Sequence, residues 1–400
     1  MIYDLIVIGA GASGLLIGSL VNKENVLILE KNSKPGRKLK ITGKGRCNIT
    51  NSKPINEFFD EIFANPKFMY SSLYEFTNTD LMDYLEKLQL KLKEERGGRV
   101  FPFNDKSGDV IDTLFKNGNA KYKFNEPVLA IDKVDDIFVV KTEKETYSSK
   151  NIIIATGGIS YPLTGSTGDG FRFAEEFGHS IVKPKPALVG LNCDLNDNKE
   201  LMGLNLKNVN VSLISKKSTK SEFGELLFTH FGVSGPTILT LSAYANVGDT
   251  ISIDLKPALS IEKLDERVLR DFSENNNKDL KNSLDKLLPK SLIPYIINRS
   301  KIDPNKKINQ INQQERYSLV HNIKNLDFKI LSKRSFDEAV ITDGGVNVKE
   351  INPKTMQSNI VKGLYFAGEV IDVAANTGGY NLQIAFSTAH KAFNSIKDSL

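Results

Sequence analysis

Residues 3–8, Tyr-Asp-Leu-Ile-Val-Ile, form a nearly unbroken apolar run that is too short for a helix. Apolar positions without alternation predict a strand buried on both faces, as in a parallel sheet. The run stops at Gly9, residues 9–14 read as a turn, and 15–22 continue at helical spacing. Residues 26–30 are a second strand of the same kind. Strand, turn, helix and strand within about 30 residues make a βαβ unit. Leu81, Leu85 and Leu88 then fall on one helical face across 79–92, with Asn78 or Thr79 available as a cap. Residues 128–134, 137–142 and 146–155 read as strands, the first two joined through Asp135-Asp136.

The pattern changes after Pro184-Lys185-Pro186. Residues 188–257 read as short strands, 258–325 as helices (261–272 and 283–288 among them), and 326–335 as a returning strand. Polar 274–278 and 301–307 read as loops. From Phe336 the α/β pattern resumes, with a buried strand at 364–367 and a helix from near Leu382 to Ile396. The predicted fold class is therefore α/β, a two-part Rossmann-like domain (1–187 and 336–400) interrupted by an insertion of short strands and helices (188–335). A chain of 400 residues exceeds what one core usually holds, which fits this division.

Charge removes some function classes. Lys plus Arg is 53 and Asp plus Glu 48, a net +5 spread along the chain. A nucleic-acid groove calls for clustered cations, so the expected partner is a small-molecule substrate, with no nucleic acid. Cys47 and Cys193 form no C-x-x-C pair and no metal cluster with the four histidines. The apolar N-terminal stretch carries Asp4 and no preceding Lys or Arg, unlike a signal peptide, and its glycines make a poor membrane span. A soluble, cytoplasmic protein with no membrane partner is expected; the oligomeric state stays open.

The chemistry begins at Gly9-Ala10-Gly11-Ala12-Ser13-Gly14, a full G-x-G-x-x-G between a strand and a helix, with Glu30 ending the next strand. Gly9 allows the tight turn, Gly11 lets a pyrophosphate approach the backbone, and Gly14 lets the helix pack on the strand. The helix N-terminus offers unpaired N–H groups to phosphates. Glu30 suits the two hydroxyls of an adenosine ribose and repels a 2′-phosphate. The turn alone does not choose between NAD and FAD. A second block, Ala367-Gly368-Glu369-Val370-Ile371-Asp372, closes a buried strand in the C-terminal part, where a flavin's ribityl chain and second phosphate would need it.

Longer motifs carry a resemblance. Residues 36–51 (GRKLKITGKGRCNITN), 98–102 (GRVFP), 155–162 (ATGGISYP), 168–170 (GDG), 224–236 (GELLFTHFGVSGP), 367–372 (AGEVID) and 377–383 (TGGYNLQ) resemble, in order and across nearly the whole chain, the BaiN-like, YhiN-type bacterial flavoproteins, also labelled the aminoacetone-oxidase family. The resemblance implies a two-part FAD domain with an inserted β-barrel-like and helical region, and an FAD-dependent oxidoreductase with non-covalent FAD. It places Glu30, Lys31, Arg37, Lys38, Thr42 and Gly43 along the FAD, followed by Gly45, Arg46, Cys47 and Asn48. It brings Val128 to the adenine through its backbone, and Ala155, Thr156 and Gly157 beside the cofactor. It sets Gly368, Glu369, Asp372 and Gly379 along the ribityl chain and flavin, continuing through Tyr380, Asn381, Leu382 and Gln383. The stretch 155–170 also resembles fumarate-reductase-type flavoproteins.

Tyr161 and His230 are the candidates for an acid/base on the substrate side; the plainer reading of His230 is a hydrogen-bonded residue that supports its turn. Cys47 beside Arg46 reads as packing against the cofactor, and Lys44 and Arg46 read either as a phosphate or flavin contact or as a solvated loop. No second G-x-G-x-x-G follows a strand, so no nicotinamide domain is predicted; NAD(P)H remains possible as a diffusible donor. The expected function is hydride transfer between FAD and a small organic substrate. The alternatives are a reductase of an activated C=C bond and a non-catalytic FAD-binding redox sensor; an RNA modifier is disfavoured by the spread of charge.

Overall fold

The computed structural model describes residues 1–22, 24–195, 199–274 and 277–397. Its first strand, Ile2–Ile8, lies between Val26–Glu30 and Thr146–Ile154 and is parallel to both. This explains the unalternated pattern: Leu5 to Ile8 are at most 5% exposed, because both faces are covered. Lys121–Phe124 extends the parallel sheet beyond Val26–Glu30. On the other side, two strands share one edge of Thr146–Ile154. Ile137–Thr142 pairs antiparallel with its first half, and Leu364–Phe366 pairs parallel with its second half. Val128–Val134 completes the antiparallel meander.

The helix Ala12–Leu20 starts three residues earlier than its apolar spacing predicts, because the small residues Ala12, Ser13 and Gly14 already turn helically. The C-terminal helix runs Tyr380–Lys397 and buries Ile384, Phe386, Ala389 and Phe393. It too begins before the predicted Leu382, with Gln383 N donating to Gly379 O at 3.0 Å. The helix Asn78–Lys87 is capped by Thr77, whose side chain accepts from Asp80 N while the Asp80 carboxylate accepts from Thr77 N.

The chain divides into two compact units, Met1–Ala187 with Phe336–Leu400, and Leu188–Ser335. In the second unit six strands close a barrel in the order Leu191–Cys193, Gly232–Ser234, Thr219–Phe228, Asn205–Ile214, Thr250–Asp254, Leu326–Lys333. The helices Ile261–Ser273, Ile293–Arg299 and Gln313–Lys324 accompany it, and Val211, Phe228, Ile253, Leu264, Ile296 and Phe328 share one apolar core. Residues 283–288 form turns rather than the predicted helix, with Pro289 close behind them. Among the described residues, no helix is long and apolar enough to cross a membrane.

Candidate functional site

Parallel strands end at one edge of a sheet, and ligands of open α/β sheets bind outside the carboxyl ends. Here Ile8 pairs with Ile154 and Leu29, and Ile154 pairs with Phe366. The register therefore brings four segments to one edge: 9–14, 30–32, 155–158 and 367–369.

Within the first segment each glycine has its own geometry. Gly9 has φ +105°, and a Cβ there would stand 2.6 Å from Ala155 O. At Gly14 a Cβ would stand 2.0 Å from Gly9 O, so only glycine fits this contact of helix and turn. At Gly11, by contrast, a Cβ meets nothing within 4 Å. That face of the turn is open. Gly11 also caps its helix with no side-chain hydrogen bond, leaving first-turn N–H groups to point at a ligand. Glu30 is 7% exposed, and its carboxylate accepts from Ala10 N at 2.8 Å and from Asn32 N at 2.8 Å. These bonds hold it beside the turn and leave lone pairs for a ribose.

The C-terminal block is tied to the rest through Glu369. Its carboxylate receives Lys38 Nζ at 2.6 Å, Ser160 Oγ at 2.9 Å and Thr342 N at 2.7 Å. Thr342 Oγ1 in turn accepts from the backbone of Ile159 and Ser160. Ser160 and Thr342 are absent from the sequence reading. Ser160 lies inside the quoted 155–162 motif, and Thr342 precedes Gly344-Gly345, a glycine pair that signals close backbone approach. Asp372 is buried, and Asn65 Nδ2 donates to its Oδ2 at 2.9 Å. Burial pushes the Asp372 carboxyl up from its ordinary value against the pull of Asn65, and Asp343 repels it further.

Other residues expected at the site face other residues of the protein. Ser13 Oγ donates to Ala385 O at 3.0 Å and joins the first turn to the C-terminal helix. Lys31 Nζ lies 2.7 Å from Asp169, and Arg37 donates to Asn32 Oδ1 at 2.8 Å. Arg46 stacks over Phe101 at 4.2 Å and pairs with Glu95 and Asp105. In the loop 42–48, Gly43, Lys44, Gly45 and Cys47 all have φ between 59° and 85°, and Thr42 Oγ1 donates to Lys38 O. Cys47 is fully buried and its thiol is pushed up to about 12, so proximity to Arg46 does not activate it. Asn381 exchanges hydrogen bonds with the backbone of Ala375, and Gln383, fully buried, binds Thr50, Phe76 and Ser387. Tyr380 packs edge-on against Phe58, and Leu382 is partly buried against the core. Val128 starts its strand opposite Thr142. Tyr161 is half-buried, with φ 51° and its N–H on Phe336 O. His230, in the second unit, is exposed and edge-on to Phe231.

The HI0933-like protein Rossmann domain matches residues 3–395. The chain belongs to the HI0933-like Rossmann family. It is 32% identical to the ribosomal RNA dihydrouridine synthase of Escherichia coli K12, over 97% of this chain and 96% of that one. It is 33% identical to the protein of the same name from Haemophilus influenzae, over 98% of each. With the 3-dehydro-bile acid delta(4,6)-reductase of Clostridium scindens it shares 26% over 96% of this chain and 97% of that one. Among solved structures, a 3-ketosteroid delta1-dehydrogenase from Sterolibacterium denitrificans shares the fold over the whole of both chains, with a TM-score of 0.52 at 12% identity.

The residues at the edge of the sheet fit FAD. The open face at Gly11 would cradle a pyrophosphate, and Glu30, at the end of the second strand, would be the acceptor for an adenosine ribose. Thr156 Oγ1 and Asn48 Oδ1 are buried polar atoms without a hydrogen-bond partner among the described residues, as groups awaiting a polar ligand would be. This HI0933-like chain is an FAD-dependent oxidoreductase. When bound, FAD supplies the hydride chemistry; the turn 9–14, Glu30, Asn48, Thr156 and the block held by Glu369 are the groups that would hold it.

Proposed function

We propose that this HI0933-like protein reduces a C=C bond conjugated to a carbonyl, and that the bond is C5=C6 of uridine in ribosomal RNA. The observation that carries the reading is full-length similarity above 30% to two ribosomal RNA dihydrouridine synthases. The bile acid reductase supports the chemical class. Dihydrouridine differs from uridine by two hydrogens across a bond conjugated to C4=O, and a delta(4,6)-unsaturated 3-keto acid offers the same conjugation. Conjugation makes the β carbon accept hydride and the α carbon accept a proton, so the chain has to present a proton donor on the substrate side. Tyr161, half-buried next to the 155–160 turn, is the candidate in the first unit. His230 is the candidate in the second.

The spread of basic residues along the chain predicts no nucleic-acid partner and weighs on the other side. Spacing along a sequence is a poor measure of patches in space, however, and the relatives weigh more. NAD(P)H is the proposed electron donor. The test incubates the purified holoprotein with NADH or NADPH and deproteinised ribosomal RNA lacking dihydrouridine, then digests the RNA and measures nucleoside masses. The expected result is one uridine per target RNA gaining two hydrogens. RNA left unchanged, with turnover of a 3-keto-4-ene steroid acid instead, would establish the small-molecule reading that the bile acid reductase favours. In the same assay Tyr161→Phe is expected to slow substrate reduction about 100-fold or more, the scale of general acid catalysis, while flavin reduction by NAD(P)H stays unchanged.

A further inference from the structure

Phe59, Tyr70 and Tyr74 form a ladder of near-parallel rings on the first unit. Phe59 and Tyr70 stack with centroids 4.3 Å apart at 21°, Phe59 and Tyr74 lie 5.8 Å apart at 27°, and Tyr70 and Tyr74 lie 6.3 Å apart at 7°. Tyrosine rings usually hide at least one face, yet Tyr70 is 50% and Tyr74 53% exposed. Resting on the reading of an RNA substrate, we propose that this ladder is a platform on which unpaired bases flanking the target uridine stack.

Three observations select that occupant. The first is shape: the three rings are near-parallel, those of Tyr70 and Tyr74 are half exposed, and bases stack on aromatic rings with little regard to sequence. The second is charge. Lys67 is exposed and precedes Tyr70 by three residues and Tyr74 by seven, a spacing that puts a cation on the same side of the turn and helix for a phosphate. The third is continuity with the site. The segment between Phe59 and Tyr70 is bonded to the C-terminal FAD block: Ala64 and Ile62 pair with Ala374 and Ala375, and Asn65 Nδ2 reaches Asp372 O at 2.6 Å. Glu61 accepts from Asn376 Nδ2 at 3.0 Å. The ladder therefore rides on the segment that holds the block, and a strand lying on it is directed to that side of the molecule.

The experiment uses the FAD-loaded protein, a 12-nucleotide uridine-rich single-stranded RNA and deproteinised ribosomal RNA. Tyr70→Ala with Tyr74→Ala is expected to weaken binding of both RNAs about tenfold or more. Tyr70→Phe with Tyr74→Phe, which keeps the rings, should stay within about twofold of the parent, because stacking needs the π face. Flavin content and the rate of flavin reduction by NAD(P)H should be unchanged in both. The same affinity in the alanine variant as in the parent overturns the platform. So does concentration-dependent dimerisation that the alanine variant alone loses while its RNA affinity is kept, because that result assigns the patch to a second copy. Dihydrouridine formation by the parent separates the two levels. A parent that forms it while the alanine variant binds RNA normally removes only the platform, whereas a parent that neither forms it nor binds RNA removes the underlying reading and the platform with it.

Discussion

At Glu30 one carboxylate is proposed to serve two ends. It accepts from Ala10 and Asn32, which fixes the first turn against the second strand, and its remaining lone pairs are proposed to take an adenosine ribose. Hydrogen bonds to a charged group are worth roughly 1.5–3 kcal/mol each. Glu30→Ala should therefore weaken FAD binding about tenfold or more, measured by flavin fluorescence on titrating the apoprotein. An unchanged dissociation constant would show that the ribose is held elsewhere. The cysteines give a second test at this scale. Both are buried, and desolvation pushes both thiols up to about 12. Raising a thiol's value lowers its thiolate fraction at a given pH, to about one part in 10⁴ at pH 8, against roughly a quarter for a free thiol near 8.5. Iodoacetamide at pH 8 should leave both unmodified in the native protein and alkylate both in urea, as read by intact mass. At this scale the sequence makes legible those residues whose type alone restricts their use, such as Gly9 in its tight turn and Gly14 at the contact of helix and turn. It does not reveal that Arg46 meets Glu95 and Asp105, or that Gln383 is buried against Thr50, because those partners lie dozens to hundreds of positions away.

At the level of elements, the strand–turn–helix at the N-terminus was legible because two periodicities meet there, a continuous apolar run and a glycine pattern with a stated use. Its boundaries were less so. The helices Ala12–Leu20 and Tyr380–Lys397 begin on small or polar residues that carry no apolar signal. Polar content locates a loop but not its partners. Residues 301–307 read as a loop and form one, built of turns and irregular backbone, and the pattern does not reveal that Leu280 N donates to Lys306 O, that Lys281 N donates to Pro304 O, or that Lys307 pairs with Asp279. The loop 42–48 takes its shape from four left-handed residues, two of them not glycine, which no pattern announces. Two of the three glycines of the first turn, Gly11 and Gly14, give the sharpest test of the element's purpose. Gly11 has φ −75° and ψ −160°, which alanine adopts without strain, and its Cβ would enter open space. Gly11→Ala should leave the stability of the apoprotein within about 0.5 kcal/mol of the parent, as for a substitution that touches nothing, while weakening FAD. Gly14→Ala drives a Cβ to 2.0 Å from Gly9 O and should destabilise the apoprotein itself. Urea denaturation of both apoproteins, with FAD titration of each, checks the contrast. Equal loss of stability in the two variants would mean that Gly11 serves packing and leaves no cradle.

For the whole molecule, the division of the chain determines what can fold alone. A shift from continuous apolar strands to short strands and polar-linked helices made the insertion visible in sequence; that its strands close into a barrel did not follow from the pattern, because closure depends on pairing Leu191–Cys193 with Leu326–Lys333 across more than 130 positions. Closure has a consequence. An open sheet cut from its neighbours exposes unpaired edges, whereas a closed barrel leaves none. The barrel's core of Val211, Phe228, Ile253 and Phe328 also continues into the helices through Leu264 and Ile296, all within Leu188–Ser335. The segment thus carries its own apolar core and closes its own backbone hydrogen bonds, the two requirements for an autonomous domain. Expressed alone, residues 188–335 should be monomeric and unfold in one cooperative transition, with coincident loss of far-ultraviolet circular dichroism and of near-ultraviolet tyrosine signals. They should bind no FAD, since the segments 9–14, 30–32, 155–158 and 367–369 all belong to the other unit. A fragment that aggregates, or melts gradually without a sigmoidal transition, would show that the barrel depends on the Rossmann unit for its fold.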